Sequence, residues 1–414
     1  MLVSGIVAEY NPFHNGHLYQ LSETKRITSC DYIIATMSGH FTQRGMPCIL
    51  DKYTRTKMAL ASGVDMVLEL PVAYACASAQ YFCEGAVSLL NKSNIVDYIC
   101  FGSESGNIDL LFDIAKLLAY ETPQMSHLLK HYLSQGISYP SARQQVVTEV
   151  LFEKSDEKYT KKDINHAMSH PNNILGIHYL RALLKYESKI IPVTVKRTSI
   201  YHDENIKSQV ASATAIRKNL LLGHRDQIKD TMPSSAYAIL LNTLKDFPLT
   251  SVDNLSMYLR YKLISSTLNH LYSLWDIPKD LCHSIYNSFD NFSLLSDLAA
   301  SVTSKTYTSA TVYRSLLRII LDIAVSDMQK LQCIQWIPYI RVLGVRKRAL
   351  PLLSKLTEVS SVPVITNLGR TLNKLDTLSR SLIAYEQKAT AIYYSSNNIN
   401  NKGKEDLLHP FIVI

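Results

Sequence analysis

The chain has 414 residues, of which 47% are hydrophobic, 19% charged and 9% aromatic, a composition that builds a packed core and excludes a disordered or fibrous chain. Its formal charge of +8 is uneven, +2 through residue 220 and +6 beyond it, so the second half is the part suited to a polyanionic partner. The opening apolar run is broken at once by Glu9, Asn11 and Pro12, and no uninterrupted apolar stretch reaches the length of a bilayer span; a cytoplasmic protein with no membrane association is expected.

In chain order, short β-branched runs at residues 2–8, 31–38, 65–70, 96–102 and 190–197 are separated by segments with helical spacing. Near-continuous apolar strands joined by helical crossovers imply a Rossmann-like α/β fold with a parallel sheet covered on both faces. Residues 103–170 read as helix-rich, with YPSARQQVVTEVLF amphipathic and EKSDEKYTKKD a charged loop. After SATAIRKNL the alternation stops. Residues 221–384 read as mostly helical, with PYIRVLGVRKRAL interrupting the helical spacing, and a polar segment SSNNINNKGKED precedes a short apolar terminus. The expected organisation is a catalytic domain over residues 1–220 followed by a mostly helical, basic domain over residues 221–414. Cys30, Cys48, Cys76, Cys83, Cys100, Cys282 and Cys333 form an odd set without a C-x-x-C pair, which argues for reduced thiols rather than a zinc or disulfide framework.

The stretch GIVAEYNPFHNGH leaves the end of the first strand, where ligands of parallel sheets gather. Asn11, Pro12, Asn15 and Gly16 are turn residues, but a structural turn has no need of two imidazoles three residues apart. His14 and His17 flank a predicted helix start, so their donors can converge on the α- and β-phosphates of a nucleotide over the helix N-terminus. For either histidine alone, capping or packing the helix is the plainer role. A metal site needs a further ligand that the neighbouring sequence does not offer, and none is expected. The phosphate-loop and dinucleotide fingerprints are absent.

NPFHNGH resembles the H-x-G-H signature of the nucleotidyltransferase α/β-phosphodiesterase superfamily, whose members transfer adenylyl groups from ATP with release of pyrophosphate. SATAIRKNL is similar to that superfamily's S-x-x-x-I-R element, which implies that Ser212, Thr214 and Arg217 hold the β- and γ-phosphates; helix capping by Ser212 and Thr214 with a solvated Arg217 is the structural alternative. VAEYNPFHNGHLYQ, MSGHFTQRGMPCILDKYTRTKMAL, FGSESG, HPNNILGIHYL, KRTSIYHD and PYIRVLG together resemble the bacterial tRNA(Met) cytidine acetate ligases over nearly the whole chain. That resemblance implies a ligase that joins acetate and ATP, with Mg²⁺, into acetyl-adenylate. It then passes the acetyl group to the exocyclic amine of the wobble cytidine of elongator tRNA(Met), giving N4-acetylcytidine.

Carried over by motif position, the resemblance implies catalytic roles for His14 and His17 and ATP contacts along Val7, Ala8, Glu9, Tyr10, Asn11, Pro12, Phe13, His14, Asn15, Gly16, His17, Leu18, Tyr19 and Gln20, completed by Gly102, Asn172 and Arg197. Read from the residues, Gly102 ends a strand and permits close approach, Asn172 suits a helix N-cap, and Arg197 suits an exposed strand end. Ser38, His40, Gln43, Arg44, Arg55 and Lys57 follow the second strand and are candidates for an acetate or cytidine pocket, or else form an exposed loop and solvated helix face. In the basic half, Lys305, Arg314, Arg318, Arg346, Lys347 and Arg348, with Tyr307 and Tyr313 interleaved, are candidates for tRNA backbone contact. Two rival functions remain: an adenylyltransferase acting on a phosphorylated small molecule, and a non-catalytic RNA-binding protein that keeps the nucleotide fold.

Overall fold

The five expected strands are present in a computed structural model that describes residues 1–156, 158–197, 211–399 and 401–414. Residues 198–203 of the KRTSIYHD motif lie outside the described residues. The strands are β1 (Val3–Ala8), β2 (Tyr32–Ser38), β3 (Met66–Leu70), β4 (Tyr98–Ser103) and β5 (Ile191–Lys196). They lie in the order β5-β4-β1-β2-β3 and are mutually parallel, with Val7 opposite Thr36 and Gly102 opposite Val195. The chain runs outward from β1 through β2 to β3 and then returns to place β4 on the other side of β1. The direction of strand addition therefore reverses beside β1, and the carboxyl end of β1 is the switch point at which such sheets open a crevice.

Helices Asn15–Thr28, Lys52–Ala61 and Ala79–Ser93 make the successive crossovers. A longer helical excursion, closing with Tyr139–Lys154, Lys161–Ser169 and Pro171–Lys185, separates β4 from β5. Two apolar cores result, one on each sheet face. One holds Ile34, Leu68, Tyr74, Leu89 and Leu180 and runs on into the second half through Leu316, Trp336 and Leu382. The other holds Ile6, Phe13, Met37, Tyr53 and Leu60.

The alternation ends near residue 220 as expected, but the sheet does not. The interruption PYIRVLGVRKRAL is a strand, β6 (Ile340–Val345), which pairs antiparallel with β3 through Met66 opposite Val345. β7 (Val364–Ile365) and β8 (Ile412–Val413) then pair parallel with β6. Residues 221–414 are thus helical units wrapped around a strand that completes the first half's sheet, because the apolar outer edge of β3 would otherwise present unpaired backbone groups. The polar terminal segment also returns to the fold: helix Glu405–Leu408 carries a buried Asp406. A close approach ties the halves together. Gly45 (φ +77°) lies against helix Ser309–Leu321, where an added Cβ would stand 2.4 Å from the Arg314 nitrogen. All seven cysteines are free, and five of them are buried. Among the described residues no helix is long and apolar enough to cross a membrane.

Candidate active site

His14 is the N-cap of helix Asn15–Thr28, and its Nδ1 accepts a 3.0 Å hydrogen bond from the Gly16 amide. His17 reaches back one turn, its Nδ1 accepting from the His14 amide at 3.2 Å. Two imidazoles thereby form a reciprocal capping box, a job usually done by hydroxyls and carboxylates. The capping alternative is what the structure shows, and it leaves the Nε2 side of each ring outside the cap. With both Nδ1 atoms accepting, the neutral tautomer of each ring carries its proton on Nε2. The rings stack with centroids 3.8 Å apart, and the edges of Tyr10 and Phe13 pack on His17. Burial, then Arg197 and Arg217, pulls the pKa of His14 down to about 3. Burial, then His14 and Arg197, holds His17 well below its usual range. At neutral pH the loop therefore presents two uncharged Nε2–H donors at a helix N-terminus whose first turn holds no acidic residue.

The second motif closes on the first. Ser212 caps helix Ala213–Leu221 by accepting from the Ala215 amide at 3.0 Å. Arg217 donates to the Asn11 carbonyl at 2.9 Å and to Thr214 Oγ1 at 3.1 Å. Arg217 is thus a clasp across the two motifs rather than a solvated charge, and burial lowers its pKa. Asn11 in turn accepts from the Ile49 amide at 2.8 Å, and Asn15 donates to the Asp230 carbonyl. Val7, Ala8 and Glu9 are half-buried at the strand end, Gln20 is half-buried on the helix, and Leu18 and Tyr19 face outward. Pro12 follows a cis peptide bond.

Arg55 is fully buried, not on a solvated helix face. Its guanidinium donates to the carbonyls of Glu9, Ser38, Gly39 and Leu50, stitching the ends of β1 and β2 together. Gln43 donates its amide to Glu9 Oε1, which fixes that carboxylate beside the loop. Ser38 and His40 are fully buried, whereas Arg44 and Lys57 are exposed. His40 lies between Tyr393, Tyr394 and Thr390, so it belongs to the packing beneath the site.

On the other side of the switch point, Gly102 leaves room for Arg197, whose Cγ would stand 3.2 Å from an added Cβ. The next turn is locked by a pair that sequence reasoning missed. Glu104 accepts from the Asn172 amide and side chain and from the Asn173 amide, while Asn173 Oδ1 accepts from the amides of Glu104 and Ser105. Burial opposes ionisation of Glu104, but the Asn172 side chain and the helix amides prevail and hold its pKa down. The N-cap of helix Pro171–Lys185 is His170, so Asn172 acts inside the first turn. The adjacency of FGSE and PNN was readable only as two separate motifs.

A buried ionic cluster underlies the end of β2. Lys52 Nζ lies 2.5 Å from Glu69, 2.6 Å from Asp406 and 3.4 Å from Glu386. Arg341 on β6 bonds Glu69 at 2.9 Å and Asp406 at 3.0 Å. Two cations face three carboxylates, and Glu386 is the one left protonated: burial, then Glu69, lifts its pKa to about 8.

The expected RNA-facing cations divide. Arg318 is buried, ion-paired with Asp276 at 2.8 Å and stacked on Trp275, so its placement on an RNA surface is corrected: helix Ser309–Leu321 turns that face inward. Arg348 holds the buried Asp65 at 2.7 Å and Arg346 lies 3.7 Å from it, which makes both structural partners of β3. Arg314, Tyr307 and Tyr313 are half-buried, while Lys305 and Lys347 are exposed.

A parallel sheet that offers neutral imidazole donors at its switch point, with an arginine clasp from a second helix start, defines a nucleotide-binding domain of the nucleotidyltransferase class. The chain belongs to the HIGH nucleotidyl transferase family, whose family model matches residues 1–406, and within it to the tRNA(Met) cytidine acetate ligases. The protein of that name from Clostridium novyi (strain NT) is 38% identical over 402 residues, covering 96% of this chain and 98% of that one. The one from Acetivibrio thermocellus is 36% identical over 422 residues, covering 98% of each. The crystal structure of Thermotoga maritima TmcAL bound with alpha-thio ATP covers 100% of both chains at 28% identity and a TM-score of 0.91. Its apo form superposes with a TM-score of 0.93.

Proposed function

We propose that this chain is an ATP-dependent acetate ligase that forms acetyl-adenylate and passes the acetyl group to the exocyclic amine of the wobble cytidine of elongator tRNA(Met). The observation that carries the reading is the pair of Nδ1-anchored, neutral imidazoles of His14 and His17 at the switch point, in a chain similar over nearly its full length to ligases of that name.

In the first step an acetate oxygen bonds to the α-phosphorus, the bond to the α–β bridging oxygen breaks, and pyrophosphate leaves with the electron pair. Negative charge grows on the phosphate oxygens, where the two Nε2–H groups donate without first losing or gaining a proton. Arg197, Arg217 and the N-terminus of helix Ala213–Leu221 supply the positive field for the outer phosphates. In the second step the cytidine amine attacks the acetyl carbon, gives up a proton, and AMP departs. The amine lone pair is delocalised into the base, so the adenylate's activation is what makes this attack feasible.

Among the described residues no group of three or more His, Cys, Asp or Glu side chains could hold a metal ion. Mg²⁺ would arrive on the nucleotide's oxygens, and no step is routed through it. The test is mass analysis of nucleosides from elongator tRNA(Met) incubated with the protein, ATP, Mg²⁺ and isotopically labelled acetate. Labelled N4-acetylcytidine at the wobble position is expected; modification supported by acetyl-coenzyme A in place of acetate and ATP would overturn the reading.

A further inference from the structure

Helix Pro171–Lys185 starts at the nucleotide crevice, where Asn172 bonds Glu104, and carries a half-exposed stripe away from it: His178, Arg181 and Lys185. Arg181 stands about 14 Å along the axis from Asn172. The stripe lines a cavity of about 260 Å³ against helix Ala79–Ser93, together with Gln80, Glu84 and Tyr120.

The charges in this cavity are unequally matched. Lys185 has Glu84 at 2.8 Å, and Glu84 also accepts from Trp336 Nε1 and Gln80. Arg143, on the neighbouring helix Tyr139–Lys154, is paired with Glu121 at 2.9 Å. Arg181 has no acidic partner among the described residues: its Nη1 lies 3.3 Å from His178 Nδ1, and its buried Nε has no hydrogen-bond partner. Burial, then the Arg143 charge, lowers the pKa of Arg181, and the carboxylates of Glu84 and Glu121, each held by its own cation, offset this only in part. Burial, then Arg181 and Arg143, brings the pKa of His178 down to about 3, which leaves it a neutral acceptor that orients the guanidinium.

At the rim the ring of Tyr120 is 63% exposed. A guanidinium without an ion pair in a cavity wall, beside an exposed aromatic, is the pairing that single-stranded RNA calls for, one group for a phosphate and one for a base face. Meanwhile Arg318, Arg346 and Arg348 in the second half hold Asp276 and Asp65.

We infer that this cavity is an anticodon-loop docking pocket, in which Arg181 binds a backbone phosphate of the tRNA and Tyr120 stacks on a neighbouring base while the wobble cytidine reaches the nucleotide crevice. The inference rests on the proposed function, since it supplies a docking place for that function's RNA substrate. His178 is a positioning residue acting through Arg181.

The experiment measures binding of unmodified elongator tRNA(Met) as a function of salt for the wild type, Arg181→Gln and Tyr120→Ala. Acetate-dependent exchange of pyrophosphate into ATP is measured alongside without tRNA. Arg181→Gln should bind at least about tenfold more weakly and flatten the log–log salt slope by about 0.7. Tyr120→Ala should bind about tenfold more weakly with the slope unchanged. Both should exchange pyrophosphate like the wild type, which shows that they fold and activate acetate. Variants that bind tRNA with wild-type affinity and slope would overturn the pocket. Failure of the underlying reading looks different: the wild-type protein itself would then show no acetate-dependent exchange.

Discussion

Glu386 gives the most quantitative test of the charged layer beneath the site. Its Oε2 accepts from the Val72 amide at 2.7 Å, and its Oε1 lies 3.4 Å from Lys52 under Gly39. The residue is 1% exposed, and its pKa is pushed up to about 8, against 4.5 for an ordinary carboxyl, because of burial and then Glu69. A carboxyl raised in this way binds a proton in the folded state that the unfolded chain has lost, so stability falls as pH rises between the two values. The buried histidines act in the opposite sense, adding stability as pH rises toward about 6.5. Comparing wild type with Glu386→Gln cancels their contribution, and the amide keeps the shape and neutrality of the protonated acid. Each pH unit is worth about 1.4 kcal/mol for one proton, so between pH 5.5 and 7.5 the variant should gain on the order of 2–3 kcal/mol relative to wild type. Urea unfolding at both pH values reads this directly. Parallel changes in the two proteins would mean that Glu386 ionises normally and that the charge balance of the cluster has been misassigned.

His17→Ala should fold, since its neighbours Tyr10 and Phe13 are anchored in the core, yet lose about 10²–10³ in the rate of acetate-dependent pyrophosphate exchange; near-normal exchange would remove the histidine from the mechanism. Arg348→Ala should destabilise the protein by about 1–3 kcal/mol, because Asp65 is fully buried and keeps only the Ile33 amide at 2.9 Å and the longer contact to Arg346; thermal unfolding at the wild-type midpoint would contradict that. Lys347→Ala, which removes an exposed neighbour, should leave stability within about 0.5 kcal/mol of wild type, and tRNA binding with its salt slope will show whether this cation touches RNA.

The β1–β5 framework was legible because each of those strands is an apolar run bounded by turns and crossovers. β6 was not, since its pairing partner lies some 270 residues away by chain position and Arg341 sits in the middle of its apolar run. Its charge makes sense only once Glu69 and Asp406 are seen beside it. Asp406 was hidden for the same reason: in sequence it belongs to a polar tail, and in the fold it is the counter-ion of Lys52. In the site, the spacing of His14 and His17 pointed to the helix start, whereas Arg55 gave no sign that its partners would be four main-chain carbonyls. Arg318 misled because the last two turns of its amphipathic helix, Ser315 to Leu321, are wholly buried in a core that includes Trp275.

The central claim is that acetate itself attacks the α-phosphorus, and isotope transfer tests it most directly. Acetate labelled with ¹⁸O in both carboxyl oxygens is incubated with the protein, ATP and elongator tRNA(Met), and the nucleotide products are weighed by mass spectrometry. One acetate oxygen bridges carbon and phosphorus in the adenylate and stays on phosphorus when the amine attacks the acetyl carbon. The AMP should therefore carry one ¹⁸O for each cytidine acetylated, and the pyrophosphate none. Label appearing instead in inorganic phosphate, with ADP as the nucleotide product, would place the attack at the γ-phosphorus and contradict the roles given to His14 and His17.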